Sequence, residues 1–179
     1  MAPYNIRIFG DPVLKQRAVE VANVDGGLVR LAEDMIDTMR AAPGIGLAAP
    51  QVGVQKRLFV YQLEGVEQAS TIINPVIEEA RGEWEFEEGC LSIPGLYFPI
   101  VRPKEVLLRG YDLDGNEVSI EADEVMARAF QHELDHLDGR LLLDLLDKDQ
   151  RKAAMKELRR RVTGGPAGMA HATGEQRGL

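Results

Sequence analysis

The stretch that decides the interpretation of this chain is FQHELDHLDG, residues 130–139. It places His132 and His136 four positions apart, with Glu133 beside the first histidine. In an α-helix such residues lie one turn apart on one face, so both imidazoles can reach a single metal ion. A glutamate beside the first histidine is the general base of many metalloproteases. The pattern predicts a metal site on a helix, but it supplies only two protein ligands where a catalytic site needs three.

Length and composition indicate one globular domain. The chain has 179 residues, 45% of them hydrophobic, with one cysteine and a net charge of −8. A domain of this size buries a substantial core, and no apolar run approaches the roughly 20 residues that span a membrane. We expect no export signal, no membrane segment and no internal disulfide, which suits a reducing cytoplasm. The net charge argues against nucleic-acid binding by the chain as a whole.

One segment departs from this acidic background. Residues 148–161 contain seven Lys or Arg against two acidic residues, a net charge of +5. One interpretation is an amphipathic helix whose Ala154, Met155, Leu158 and Val162 pack on the domain. The other is a surface that attracts a phosphate-rich partner.

Residue periodicity predicts an α+β fold. Helical spacing of apolar side chains predicts helices at residues 25–42, 123–137 and 148–162. Short apolar or alternating runs predict strands at residues 57–62, 71–80 and 82–89, and a hairpin at 105–122. Pro75 is expected to bend the second strand or to place it at a sheet edge, and Asp123 to cap the second helix. We expect residues 1–162 to form a single domain of antiparallel strands around the central metal-binding helix, with a C-terminal helix, and residues 163–179 to be a disordered tail.

The helix that carries the histidines has two faces. Its main apolar stripe comprises Met126, Phe130, Leu134, Leu137 and Leu141. A second stripe, about 120° around the helix, comprises Val125, Ala129, His132 and His136. The metal face is distinct from the core face, and small residues on it leave room for a pocket.

Several residues compete to be the third ligand. A metzincin-like site is excluded, because Leu142 occupies the position of its third histidine. A thermolysin-like site would use Glu157, but this residue lies among basic residues where a solvated helix is the simpler account. His171 lies in the tail, where ordering costs entropy. Cys90 follows a strand and Gly89, although a single cysteine is often only a small buried hydrophobe. The residues alone leave Cys90 and Glu157 open.

Three short segments carry a family resemblance. In this order, GIGLAAPQ (44–51), EGCLS (88–92) and QHELDH (131–136) resemble the three motifs of the peptide deformylases. Cys90 follows Gln51 by 39 positions, a compact spacing that resembles the bacterial form without an insertion.

The resemblance covers the chain from about residue 5 to residue 160. The matching motif residues are Gly44, Gly46, Gln51, Gly89, Cys90, Leu91, His132, Glu133 and His136. It implies that Cys90 is the third metal ligand beside His132 and His136, with water in the open fourth position. It also implies Fe²⁺ as the working ion, with Zn²⁺, Ni²⁺ or Co²⁺ as substitutes.

The resemblance implies hydrolysis of the N-formyl group on the starting methionine of new bacterial proteins, with release of formate. Glu133 would take a proton from water and pass it to the departing amine. The side-chain amide of Gln51 and the backbone N–H of Leu91 would hold the oxyanion. Because such an enzyme meets its substrate on emerging chains, the basic segment 148–161 is expected to approach ribosomal RNA near the tunnel exit.

Substrate contacts follow from the same resemblance. The expected substrate-binding residues are Gly44, Ile45, Gly46, Gly89, Val125 and Ala129. Among these, Ile45, Val125 and Ala129 would form an apolar pocket for methionine, with the stem of Arg128 on its rim. The backbone at Ile45-Gly46 and at Gly89 would pair with the peptide as an added strand.

Two further residues qualify this expectation. Glu88 is expected to have Arg102 as its partner. The alternative is that the two residues form only an ordinary surface ion pair. Tyr97 stands where many bacterial relatives have arginine, so contacts beyond the formyl-methionine are expected to differ from theirs.

Two rival functions remain at this stage. One is a general zinc metallopeptidase that uses His132, His136 and Glu157. The other is a metal-stapled, non-catalytic RNA-binding module, although Glu133 and Gln51 argue against it, since a structural site fills its fourth position with protein.

Overall fold

The computed structural model describes residues 4–42 and 44–163. Its helices are α1 (Gly26–Ala41), α2 (Glu124–Leu137) and α3 (Lys148–Thr163). Its strands are β1 (Gly46–Ala48), β2 (Leu58–Tyr61), β3 (Ser70–Arg81), β4 (Trp84–Cys90), β5 (Ile93–Arg102), β6 (Glu105–Tyr111) and β7 (Glu117–Asp123). No helix among these residues is long and apolar enough to cross a membrane. The predicted tail after residue 163, including His171, lies outside the described residues.

The strands form two antiparallel sheets. The larger sheet has the order β1-β2-β3-β6-β7, and β4 pairs only with β5. In the hairpin predicted around Asp114-Gly115, β6 and β7 pair in continuous register from Glu105 opposite Asp123 to Tyr111 opposite Glu117. Antiparallel strands, the central helix α2 and the C-terminal helix α3 confirm the predicted α+β fold.

The large sheet lies between α1 and α2. Because side chains alternate along β2, successive residues of this strand pack against opposite helices. Leu58 and Val60 belong to a buried cluster with the apolar stripe of α1. Phe59 belongs to a second cluster with Phe130 of α2, and their ring centroids lie 5.7 Å apart. Each such side chain, when fully buried, contributes roughly 1.5–3 kcal/mol. This packing fixes the position of the metal-binding helix on the sheet.

A third buried cluster lies between the small sheet and the C-terminal part of the chain. Its members are Leu14, Cys90, Ile93, Ile100, Leu141, Leu142, Leu143 and Ala154. Met155 and Leu158 of α3 pack partly against it, as the amphipathic interpretation predicts, while the Val162 side chain lies outside the described residues. Helix α3 therefore covers the sheet that carries Cys90.

Two strands were not predicted. Strand β1 has only three residues, too few for a periodic signal. Strand β5 contains Pro94 and Pro99, which count against a strand; both are exposed, in a sheet of only two strands.

Two local predictions can be compared with the structure. The register of β3 shifts around Pro75, and Asn74 adopts a φ of 50° there, which agrees with a bend. The edge alternative is wrong, because β3 lies between β2 and β6. Asp123 does precede α2, but its side chain makes no capping hydrogen bond. The first residue of the helix, Glu124, has a φ of 44°, and its backbone N–H donates to the carbonyl of Lys104. The chain thus enters α2 through a backbone turn and not through a side-chain cap.

Candidate metal centre

Three buried side chains from two elements converge. Cys90 ends β4, and His132 and His136 lie one turn apart on α2. The Sγ of Cys90 lies 3.3 Å from Nε2 of His136, and that nitrogen lies 3.2 Å from Nε2 of His132. Their ligand atoms all lie within 4.8 Å of one another, and among the described residues this is the only such cluster of His, Cys, Asp or Glu.

These separations fit a tetrahedral metal site. Zinc-like ions bind nitrogen at about 2.0 Å and sulfur at about 2.3 Å, so tetrahedral edges measure about 3.4 Å between nitrogens and about 3.6 Å between nitrogen and sulfur. The observed nitrogen–nitrogen and sulfur–nitrogen distances of 3.2 and 3.3 Å are slightly shorter. Three protein donors with one open corner are typical of a catalytic site and not of a structural one.

Glu88 fixes the ring of His132. Its fully buried carboxylate lies 2.6 Å from Nδ1 of His132. Burial alone would raise the pKa of Glu88, but hydrogen bonds from Arg102 and His132 outweigh it and hold the pKa well below its usual range. An ionised carboxylate only accepts, so Nδ1 of His132 donates and Nε2 keeps the lone pair that binds a metal. The predicted partner Arg102 donates to Glu88 at 2.7 and 2.8 Å, in a buried pair and not a surface one.

The electrostatic environment favours a cation. Burial, reinforced by His132, lowers the pKa of His136 well below its ordinary value, which leaves its ring neutral. Burial also acts to lower the pKa of His132, but Cys90 and Glu88 outweigh it and raise that pKa well above the ordinary value. Surroundings that favour positive charge on His132 also favour a metal cation beside it.

Gln51 reaches the cluster from the turn after β1. Its Oε1 accepts a hydrogen bond from the backbone N–H of Ala48 at 2.9 Å. The amide nitrogen is therefore turned toward the site, 3.9 Å from Sγ of Cys90 and 3.2 Å from Oγ of Ser92. Gln51 and Ser92 are 1% and 0% exposed, so this donor is held in a buried position.

Glu133 lies beside the first histidine and is buried. Burial raises the pKa of Glu133 to about 7, close to the value that suits a general base at neutral pH. Within the described residues, its Oε2 has no hydrogen-bond partner, so this oxygen is available to water or substrate. Its Oε1 lies against Gly46, where any Cβ would collide with the carboxylate. The close approach of β1 to α2 therefore requires glycine.

The other two motif glycines also permit close approach. A Cβ at Gly44 would lie 2.7 Å from Cδ1 of Leu91, which occupies the turn between β4 and β5. A Cβ at Gly89 would lie 2.6 Å from Cε1 of Tyr97, its partner across the small sheet. The ring of Tyr97 thus covers the backbone of Gly89 and stays half exposed, at 42%.

The residues expected to contact methionine lie on two elements. Ile45 is half-buried just before β1, and its carbonyl accepts a hydrogen bond from the backbone N–H of Gln62. Val125, 39% exposed, and Ala129, 2% exposed, lie one turn apart on α2. The structure therefore brings Ala129 onto the same helix face as the histidines, with Val125 at the surface.

The predicted position of Arg128 on a pocket rim is wrong. Its side chain is 1% exposed. The guanidinium donates to the carboxylate of Glu88 at 2.7 Å and to the backbone oxygen of Trp84 at 2.6 Å. Burial of the Arg128 guanidinium is tolerated because the negative charge of Glu88 offsets its positive charge.

The rival ligand Glu157 is not part of the cluster. Its carboxylate accepts hydrogen bonds from Arg160 at 2.7 and 2.8 Å and from Arg161 at 2.8 Å, all on α3. The arrangement needed by the metallopeptidase alternative is therefore not formed.

Comparison with known proteins agrees with this geometry. A sequence profile of the family described as Polypeptide deformylase matches residues 3–152. The chain belongs to this family. The peptide deformylases of Acidothermus cellulolyticus and Parafrankia sp. are 46% and 48% identical to it over 159 and 160 residues, which is 89% of this chain and 87% of each relative.

Solved structures of deformylases have the same fold. The peptide deformylase of Legionella pneumophila is 37% identical, with a TM-score of 0.85 over 92% of this chain and 99% of that chain. That of Thermus thermophilus is 44% identical, with a TM-score of 0.83 over 90% of this chain and 96% of that chain.

The chain is therefore a hydrolase that removes the formyl group from the N-terminal methionine of new polypeptides. The family is metal-dependent, and the Cys90, His132 and His136 cluster is a candidate site for the ion. The resemblance noted in the sequence is confirmed, and the non-catalytic RNA-binding alternative is wrong.

Sequence reasoning missed two residues around this centre, Ser92 and Asp135, and misplaced a third, Arg128. Ser92 contacts the amide of Gln51, Asp135 accepts a hydrogen bond from Arg102 at 2.9 Å, and Arg128 is buried against Glu88. The signal that could have revealed Arg128 is its spacing, because it lies four positions before His132 and so shares its helix face.

Proposed function

We propose that Cys90, His132 and His136 hold one divalent ion, Fe²⁺ in the native enzyme, and that Glu133 is the general base. The observation that carries this proposal is the convergence of three buried ligand atoms next to the carboxylate of Glu133. Among the described residues, one oxygen of this carboxylate has no hydrogen-bond partner. The usual affinity order places zinc above ferrous iron at such a site. The assignment of iron therefore rests on the family resemblance, with Zn²⁺, Ni²⁺ or Co²⁺ as substitutes.

In this proposal Glu133 moves the proton. A divalent ion held there would make water more acidic and polarise the formyl carbonyl. Glu133 accepts a proton from the attacking water and delivers it to the amine nitrogen as the C–N bond breaks. Water supplies the oxygen that enters formate and the hydrogen that enters the amine, so no other reactant is needed.

Gln51 and the backbone N–H of Leu91 hold the oxyanion. The support for Gln51 is its fixed orientation, since Ala48 binds its carbonyl oxygen and leaves the amide N–H groups toward the site. Removal of one such donor typically costs 10²–10³-fold in rate, or about 3–4 kcal/mol.

The substrate peptide adds as a strand between two sheet edges. β1 is the outermost strand of the large sheet, and β4 has only β5 as a neighbour. These edge positions support the proposal that backbone groups around Gly44–Gly46 and at Gly89 pair with an extended peptide. Ile45, Val125 and Ala129 contact the methionine side chain.

Metal content after substitution tests the ligand set. Cys90→Ser should lose most of its metal affinity, because a hydroxyl is a far weaker ligand for these ions than a thiolate. Glu157→Gln, the matched control from the rival site, should bind metal like the wild type. Metal per protein is measured by elemental analysis after dialysis without oxygen. Activity is measured on the same samples as release of the free amino terminus, from a formyl-methionyl tripeptide, which also yields formate, and from its acetylated twin, which would yield acetate.

The reverse pattern, with Cys90→Ser fully loaded and Glu157→Gln depleted, would contradict the ligand set. Equal cleavage of the acetylated peptide would contradict specificity for the formyl group.

Oxygen sensitivity tests the identity of the ion. Ferrous iron beside a thiolate is readily oxidised, so the iron form should lose activity in air much faster than a nickel-substituted form. The measurement is residual formate release against time in air, with an anaerobic sample of each form as the control. Equal lifetimes would argue against iron as the oxygen-sensitive component.

The basic segment adds a partner to the proposal. We infer that the enzyme works in the bacterial cytoplasm and that residues 148–161 of α3 approach ribosomal RNA near the tunnel exit. The support is the local charge of +5 in an acidic chain, on a helix whose apolar side packs on the domain while most of its Lys and Arg face outward. Such a charge orients an acidic protein toward phosphate.

A further inference from the structure

The most voluminous of the fully buried side chains described belongs to a cation, Arg128 of α2, which is 1% exposed. It precedes His132 by four positions and shares its helix face. Its Nη1 donates to Oε2 of Glu88 at 2.7 Å, and its Nη2 donates to the backbone oxygen of Trp84 at 2.6 Å. No step of the proposed mechanism uses this residue.

Glu88 connects Arg128 to the metal face. Its Oε1 contacts Nδ1 of His132 at 2.6 Å and Nη2 of Arg102 at 2.7 Å. Its Oε2 accepts from Nε of Arg102 at 2.8 Å and from Nη1 of Arg128. Arg128 and His132, one helical turn apart, thus bind opposite oxygens of a single carboxylate. A rotation of that carboxylate would break both contacts together.

The carboxylate of Glu88 is paired with two buried cations. Arg102 and Arg128 both bind it, and Arg102 also donates at 2.9 Å to Asp135, which in turn pairs with the exposed Arg140. Loss of Arg128 would remove one of the two cations on Glu88 and leave Oε2 with one donor fewer. A buried carboxylate in that situation moves to find other donors, because an uncompensated charge is costly in a low dielectric.

Two aromatic rings hold the guanidinium. Trp84 and Phe86 stack with centroids 4.7 Å apart, and Cζ of Arg128 lies 5.1 Å from the centroid of Trp84. The flat fork of arginine can bind a carboxylate and a carbonyl while it contacts a ring; the point charge of lysine cannot do all three. Yet Nε of Arg128 has no partner within the described residues. Apolar side chains often stabilise such a position better than a buried ion pair does, so stability alone is a weak reason for arginine here.

We propose that Arg128 is a positioning residue for the deformylase reaction. It locks the Glu88 carboxylate so that this group holds Nδ1 of His132 and directs Nε2 into the centre of the cluster. The inference rests on the proposed metal site. Arg128 contacts neither the substrate nor the ion and acts only through Glu88 and His132.

The test compares Arg128→Met, Arg128→Lys and the exposed control Arg109→Met, all well below their melting temperatures. Nickel-loaded proteins are mixed with a chelator, and the rate of metal loss is followed. Outer contacts of metal ligands typically account for 10–100-fold in affinity or activity. We therefore expect Arg128→Met to lose nickel roughly 10–100 times faster, Arg128→Lys to be intermediate, and Arg109→Met to match the wild type.

Two further readouts separate positioning from packing. The visible absorption of the cobalt-loaded Arg128→Met protein should shift, because the ligand field of His132 changes. In the iron or nickel enzyme kcat should fall while KM stays within about twofold, since binding of the peptide does not involve Arg128. In a Glu88→Gln background, Arg128→Met should add little to the rate of metal loss, because both substitutions break the same connection.

Unchanged metal loss, cobalt spectrum and kcat in both Arg128 variants, with only a lower melting temperature, would overturn the proposal. If Arg128→Met does not fold, the same readouts on Arg128→Lys decide. His132→Ala distinguishes the underlying assumption: wild-type metal retention in that variant would refute the metal site itself, whatever Arg128 does.

Discussion

Helices α2 and α3 each carry a glutamate that was a candidate for the metal site, Glu133 as base and Glu157 as ligand, but the two lie in opposite environments. On α2, Glu133 is buried, and burial raises its pKa to about 7. On α3, hydrogen bonds from Arg160 and Arg161 lower the pKa of Glu157 to about 2. The same residue type is thus a candidate base on one helix and a permanent anion on the other. Burial decides the pKa on α2, and ion pairing along the helix decides it on α3.

Removing each carboxylate is the strongest test of this contrast. Glu133→Ala should retain metal and fold but lose kcat by about 10²–10⁴-fold, because general base catalysis supplies that much. Glu157→Ala should change kcat by less than about twofold, since its ion pairs lie at the surface. The measurement is formate release at saturating peptide, with metal content determined on the same samples.

The metal content makes the outcome interpretable. A fully loaded Glu133→Ala enzyme with near-wild-type turnover would contradict the role of Glu133. A large loss of kcat in Glu157→Ala at full metal content would indicate that Glu157 belongs to the active site.

The contrast also shows what the sequence could reveal. The apolar stripe of α2 predicted its packing face, and the i, i+4 spacing predicted that two histidines share one face, because both depend on local periodicity. The third member of the cluster could not be derived in the same way. Cys90 joins the histidines only after β4 and α2 pack together, and residue spacing left Glu157 as an alternative. The family resemblance, and not periodicity, identified Cys90.

Arg128 illustrates the same limit for a buried charge. From the sequence, an arginine beside small residues is expected to lie at the edge of a pocket, with its aliphatic stem on apolar surface and its guanidinium in solvent, as arginine usually does. Its burial depends on Glu88 and Trp84, which are 40 and 44 positions away. Long-range charge pairing of this kind has no local sequence signal. Strand β5 was missed for a related reason. Prolines are tolerated on edge strands, and β5 is an edge strand only because its sheet has two strands, which the local sequence does not reveal.

A titration of Glu157 sharpens the comparison further. We expect its carboxyl to titrate near pH 2, and in an Arg160→Gln/Arg161→Gln variant to return toward about 4.3, the ordinary value. Because the folded pKa is lowered, any stabilisation by these ion pairs is present above the unfolded pKa and lost as pH falls through the folded one. The measurement is the side-chain carboxyl chemical shift by NMR, with the exposed Glu121 of β7 as an internal reference. Identical midpoints in wild type and variant would show that the arginines do not hold the carboxylate.

The smallest effect on catalysis is expected from the basic surface of α3. Arg161 also donates to the backbone oxygen of Pro94 at 2.8 Å, so we separate it from its neighbours. Arg159→Gln/Arg160→Gln should weaken ribosome binding and reduce the slope of log affinity against log salt by roughly 1–2, because each lost phosphate contact releases about one counterion fewer. Hydrolysis of short formyl peptides should stay within about twofold, since neither side chain reaches the metal cluster. Arg81→Gln/Arg109→Gln on β3 and β6 removes the same charge elsewhere and should leave ribosome binding intact. Affinity that is unchanged in the α3 variant, or equally reduced in both variants, would mean that α3 provides no specific ribosome contact and that its charge serves only solubility.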